Sequence, residues 1–120
     1  MITDIVNIKY VNEFVSIAGK GPICEGIDMF LNSVEDYLGN CLSYFNKKGF
    51  EEAGKELHKI KGAASSIGLT RVSAKAKEIE LELLKDRDTY GLNSRVMELR
   101  EIILADTKEL RNFVMTLSGM

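Results

Sequence analysis

The sequence predicts an all-α protein, an antiparallel four-helix bundle with a short extra N-terminal helix. Three observations carry that prediction. Apolar residues recur at steps of three and four along most of the chain, as on a helix that buries one face. No stretch alternates apolar and polar residues as a half-buried strand would. The 120 residues include one proline, Pro22, while Leu, Glu, Lys and Ala are plentiful, a composition that favours helices.

A first amphipathic segment runs from about Ile5 to Ala18, with Ile8, Val11, Phe14 and Val15 on one side. Gly19-Lys20-Gly21 ends it, and Pro22 suits the first turn of the next helix, where a backbone N–H is not needed. The second helix carries Ile23, Ile27, Phe30, Val34, Leu38, Cys41 and Phe45, the stripe of a bundle seam. Asn46-Lys47-Lys48-Gly49 is a tight break of the kind that joins antiparallel helices.

The third helix shows Phe50, Ala53, Leu57, Ile60, Ala64 and Ile67, with Gly68 placed to stop it in a left-handed conformation. Thr70 is expected to cap a fourth helix bearing Val72, Ala76, Ile79 and Leu83. Asp86 to Gly91 reads as a loop. Asn93 or Ser94 then caps a last long helix with Val96, Leu99, Ile103, Leu110, Phe113 and Leu117. Four long helices on short connections form the bundle, and the first short helix is expected to cover one end.

Composition narrows the function classes. Hydrophobic residues at 45% and charged residues at 28% suit one soluble globular domain over residues 1–120. A net charge of −2 gives no reason to expect nucleic acid, whose binders carry a strongly basic face. Cys24 and Cys41 are too few for a disulfide framework, lack neighbouring zinc ligands, and sit at apolar positions expected to be buried. No basic segment leads an apolar run, and no apolar stretch approaches the ~20 residues of a membrane span. A cytoplasmic location is expected, with no membrane contact. Gly19-Lys20-Gly21-Pro22 lacks the spacing of a phosphate-binding nucleotide loop, so autophosphorylation from ATP is not expected.

The chemistry concentrates at the single histidine, His58. On a helical wheel at ~100° per residue, the core stripe of the third helix lies opposite it. Gly54, Lys61, Gly62 and Ser65 fall on its own side, so the imidazole is bordered by small side chains and a cation. Gly62 sits mid-helix, where glycine costs ~1 kcal/mol relative to alanine. Its benefit is expected to be clearance in front of His58 for a bulky partner. A phosphorylated imidazole gains close to two negative charges. The Lys61 ammonium can offset these, and Ser65 can offer a hydroxyl two turns along. Lys55 and Lys59 add positive potential that solvent screens within about 10 Å.

His58-Lys59-Ile60-Lys61-Gly62-Ala63-Ala64, continued by Ser65, Ser66, Ile67, Gly68 and Leu69, resembles the signature of histidine-containing phosphotransfer domains. The likeness extends upstream from Tyr10 to Phe30 and is nearest to the phosphotransfer module of Arc-type anaerobic sensor kinases. That resemblance implies a four-helix bundle. It implies that His58 accepts a phosphoryl group at Nε2 from a receiver-domain aspartate and passes it to another receiver, with Lys61 assisting and Gly62 giving clearance. The partners implied are receiver domains of response regulators or hybrid kinases. Magnesium belongs to the receiver in this chemistry, so no metal or cofactor is expected here, and the carrier is expected to be a monomer without kinase activity.

Two other readings compete. A helix-turn-helix DNA-binding protein would use Ala64, Gly68 and Leu69 as its turn, with Arg71 to Ile79 as recognition helix. Lys77 then falls where an apolar contact is needed, and Glu78 and Glu80 would face phosphates. A helical adaptor without chemistry would account for the stripes, but not for Gly62 beside His58 and Lys61.

Overall fold

The computed structural model describes residues 1–85 and 87–117. After a 3-10 turn at Ile2–Asp4 come α1 (Ile8–Ala18), α2 (Lys20–Asn46), α3 (Phe50–Ser66), α4 (Thr70–Glu82) and α5 (Thr89–Thr116). The described residues contain no strand, so the expected all-α architecture stands. Helices α2 to α5 close a ring in which α2 meets α3 and α5, and α4 meets α3 and α5. Helix α3 is therefore diagonal to α5, and the body is elongated, 48 × 24 × 18 Å.

The stripes read from the sequence form the core. On α2, Ile23, Ile27, Phe30, Val34, Leu38, Cys41 and Phe45 are all buried. Ala53, Leu57, Ile60 and Ala64 of α3 face them, with Val72, Ala76 and Ile79 from α4 and Val96, Leu99, Ile103 and Leu110 from α5. Each buried Leu or Ile removes enough apolar surface from water for about 1.5–3 kcal/mol, so the four stripes fix the rotation of every helix. Burial lifts the Cys41 thiol to about 12, with nearby Glu56 adding to the rise. Cys24 departs from the expected burial: it is only half-buried, packed against the core from its margin.

The helix ends differ from the sequence reading in three places. Helix α1 starts at Ile8 with Asn7 as cap, its side chain accepting from Tyr10 N at 3.1 Å. Ile5 and Val6 instead run as a buried strap across the α3–α4 turn. Asn7 N donates to Gly68 O at 2.8 Å and Thr70 N to Ile5 O at 3.0 Å, and Val6 forms an isolated bridge with Leu69. This strap, with α1 packed on α2, covers one end of the bundle as expected. Leu69, not Thr70, holds the cap position of α4; the strap satisfies that turn, so no side-chain cap is needed. Helix α5 is capped by Asp88, five residues before Asn93 and six before Ser94, the caps expected, because the Asp88 carboxylate accepts from Tyr90 N at 3.3 Å. The predicted loop thus loses Thr89, Tyr90 and Gly91 to the helix, while its Asp86 lies outside the described residues.

Gly68 adopts the left-handed conformation expected of it, with φ of 81°. A Cβ there would also sit 2.8 Å from Val11 Cγ2, so the strap and α1 approach the turn only over a glycine.

Between α4 and α5 lies a charged contact with a buried member. Asp106 is fully buried and Arg71 grips it with both arms, Nε donating to Oδ2 at 2.9 Å and Nη2 to Oδ1. The hydrogen bond to Asp106 raises the Arg71 pKa above its usual value. A carboxylate held in a core without its partner is costly. Arg71→Met is expected to lower unfolding stability by about 2–4 kcal/mol in urea titrations, and Arg71→Met with Asp106→Leu to recover most of that loss.

Candidate functional site

His58 projects from the middle of α3, on the side away from Leu57, Ile60 and Ala64, and its side chain is 66% exposed. The wheel argument therefore holds in three dimensions. Burying the apolar side of α3 turns the imidazole outward.

Helix α4 supplies the nearest polar neighbour. Glu80 Oε2 lies 3.6 Å from His58 Nδ1, just beyond hydrogen-bond length. The second oxygen, Glu80 Oε1, is buried with no hydrogen-bond partner, so the carboxylate has the imidazole as its nearby cationic or N–H group. A carboxylate at Nδ1 favours the tautomer protonated there and leaves Nε2 with its lone pair. It also favours positive charge on the ring once Nε2 is substituted.

One turn further along α3, Lys61 is half-buried and Gly62 exposed. A Cβ at Gly62 would meet nothing within 4 Å, so no contact among the described residues requires glycine there. Ser65 is exposed and shares a 2.8 Å hydrogen bond with Ser73 of α4. The Ser73 hydroxyl also contacts Lys61 O at 3.3 Å. Ser65 is thereby drawn to the α3–α4 seam, facing a separate recess with Asn7, Gly68 and Thr70. On the other side of His58, towards the start of α3, lies a groove of about 700 Å³. Phe50, Gly54, Leu83 and Leu84 give it an apolar floor, and Lys55 and Arg87 border it.

Lys59 is exposed but turned towards α2. Its Nζ lies 3.0 Å from Glu56 Oε2 and 5.5 Å from the Tyr37 ring centroid. The hydrogen bond to Glu56 raises the Lys59 pKa. Glu56 itself is buried and also accepts from Asn40 Nδ2 at 3.1 Å. Of the cations expected around His58, Lys59 thus has its charge matched by Glu56, whereas Lys61 has no ion pair among the described residues.

A family model described as the Hpt domain matches residues 25–113, which spans nearly all of α2, then α3, α4 and most of α5. The chain belongs to the Hpt domain family. Hpt domains are histidine phosphotransfer carriers of two-component phosphorelays, and receiver domains are their partners. Neither a curated protein nor a solved structure matches the chain. Among the described residues of this Hpt domain, no helix is long and apolar enough to cross a membrane.

Three features of the site escaped the sequence reading. Glu80 directly follows the core residue Ile79, which places it on the flank of the α4 stripe, but only the packing of α4 on α3 brings that flank to His58. Glu56 could have been found, since its step of three from Ala53 and four to Ile60 sets it on the core stripe. The groove joins Phe50 and Gly54 of α3 to Leu83 and Leu84 just past α4, a meeting with no local signal.

Because space is open at Gly62, replacing it should relieve the cost of glycine without a clash. Gly62→Ala is expected to raise unfolding stability by about 0.5–1 kcal/mol, read from the urea midpoint at unchanged slope; a loss of stability would show that the fold itself requires glycine there.

Proposed function

We propose that His58 is the phosphoryl-carrying residue of this Hpt domain, taking the group from the aspartyl phosphate of one receiver domain and giving it to the aspartate of another. One observation carries the reading: the family works through a histidine, this chain has one, and it stands exposed with a carboxylate at Nδ1. The whole chain, 1–120, is read as one domain, since α1 packs on α2 and the strap closes the end of the matched region. The run from His58 to Gly68 supports the finer likeness to Arc-type modules, and a cytoplasmic setting fits that likeness.

The arrangement supports the following transfer. With Nδ1 protonated and facing Glu80, the Nε2 lone pair attacks phosphorus in line with the aspartyl oxygen. The N–P bond forms as the O–P bond breaks, and the electron pair leaves with the receiver's carboxylate. The ring then bears positive charge, which Glu80 offsets, while Lys61 faces the added phosphoryl oxygens. Gly62 leaves room for the receiver's bulk, and Ser65 enters only as an outer hydroxyl held by Ser73. Positioning in the docked pair supplies the rate, and the same geometry runs in reverse towards a second receiver. Nothing in this sequence of events asks for a kinase activity, a cofactor or a metal of the carrier's own.

Incubation with a phosphorylated receiver domain tests the proposal. Acid-labile, base-stable label is expected on the wild-type chain and none on His58→Gln; label retained by that variant, or no transfer from any receiver of the source organism, would reject it. Glu80→Gln is expected to slow labelling of His58 by about 2–5-fold at neutral pH, the size of an exposed charge contact. An unchanged rate in single-turnover assays would remove Glu80 from the site.

A further inference from the structure

Helix α5 carries a second exposed feature, far from His58. At ~100° per residue, Tyr90, Ser94, Met97, Glu101, Leu104, Lys108 and Met115 fall within about 80° of one another on its outer side. Four of these are large apolar residues open to solvent: Tyr90 is 82% exposed, Met115 56%, Met97 49% and Leu104 43%. Exposed apolar residues scattered singly are ordinary on a monomer. Aligned along one helix at seven-residue steps (90, 97 and 104), they form a seam of the kind that packs against another helix.

The charges on α5 identify the occupant. Arginines on its flanks reach across to neighbouring helices: Arg95 to Glu82, Arg100 to Glu35 at 3.2 Å and Arg111 to Asp28 at 2.8 Å. On the seam itself remain one acid and one base. Glu101 has only a 3.9 Å contact with Arg100, beside it in sequence, and Lys108 has no ion pair among the described residues. They stand three residues before and four after Leu104. A stripe with opposite charges set almost evenly about its centre is complementary to itself when turned end for end, as a two-fold interface requires.

We propose that the outer face of α5 pairs with the same face of a second copy of this chain, antiparallel, about a two-fold axis at Leu104 and Ala105. In that register Glu101 of each copy meets the partner's Lys108, so one kind of ion pair forms twice. Leu104 packs over the partner's Ala105, whose small side chain lets the helices approach closely. Met97 lies between the partner's Lys108 and the partner's Met115, one apolar contact at each end of the seam, while Tyr90 lies beyond the overlap of the two helices. Helix α3 is diagonal to α5 in the ring, so His58 of both copies faces outward and stays free. The proposal departs from the monomer expected from the sequence. A single helix pair places the contact at the small end of protein interfaces, about 1,000 Å² or less, so association in the micromolar range is expected.

Sedimentation equilibrium of the chain tests this directly. The weight-average mass is expected to climb with concentration from 13.4 kDa towards twice that value. Leu104→Glu is expected to stay at the monomer mass with an unchanged circular dichroism spectrum. Glu101→Lys alone and Lys108→Glu alone should each remain monomeric, because each sets like charges against one another. An equimolar mixture of those two variants should recover the dimer, since both pairs are then opposite in sign. A wild-type mass that does not change with concentration would overturn the proposal. So would dimers of Leu104→Glu, or a mixture no more associated than its components. Labelling of His58 is independent of all these masses, so the two readings fail separately.

Discussion

A helix has two sides, and committing one of them to the core decides what the other presents. In α3 the commitment is made by Leu57, Ile60 and Ala64, none of which retains contact with water. Their burial supplies several kcal/mol, far more than any contact His58 makes, so the imidazole is held outward as a by-product of packing. Any rotation of α3 that sheltered His58 would expose that stripe. The chain therefore needs no dedicated device to keep this ring accessible.

The electrostatics around the ring follow from the same packing. Once α3 and α4 are fixed side by side, Glu80 is delivered to Nδ1, and its second oxygen is sealed off from water. Towards α2, the buried Glu56 holds Lys59 over Tyr37. Neighbouring lysines in sequence thus serve different ends. Lys59 compensates a buried carboxylate, while Lys61 has no ion pair among the described residues. A doubly charged group is offset best by a cation not already paired.

Much of this architecture was legible because helical stripes are local. The apolar residues chosen on α2 are buried from Ile23 to Phe45, and Gly68 takes the positive φ that its place predicted. His58, Lys61 and Gly62 could be placed on one surface by spacing alone. What escaped depended on how separate helices meet. The pairing of His58 with Glu80, and the groove over Phe50, Leu83 and Leu84, are set by the packing of α3 on α4. The start of α5 was missed for a local reason. Thr89, Tyr90 and Gly91 are poor helix formers, yet the Asp88 cap overrides them. Cys24 shows the converse, an apolar-patterned position that the packing leaves half open.

The strap at the start of the chain bears on the order in which the molecule assembles. Helices α2, α3 and α4 each pack on their sequence neighbour, so they can begin to collapse as soon as both members of a pair exist. Ile5 and Asn7 must wait, because their hydrogen-bonding partners are Thr70 and Gly68, some sixty residues later. On a ribosome Ile5 and Asn7 emerge before their partners and would be among the last residues of this fold to find their places. The opening segment thus acts as a clasp that fastens only after the hinge between α3 and α4 has been built.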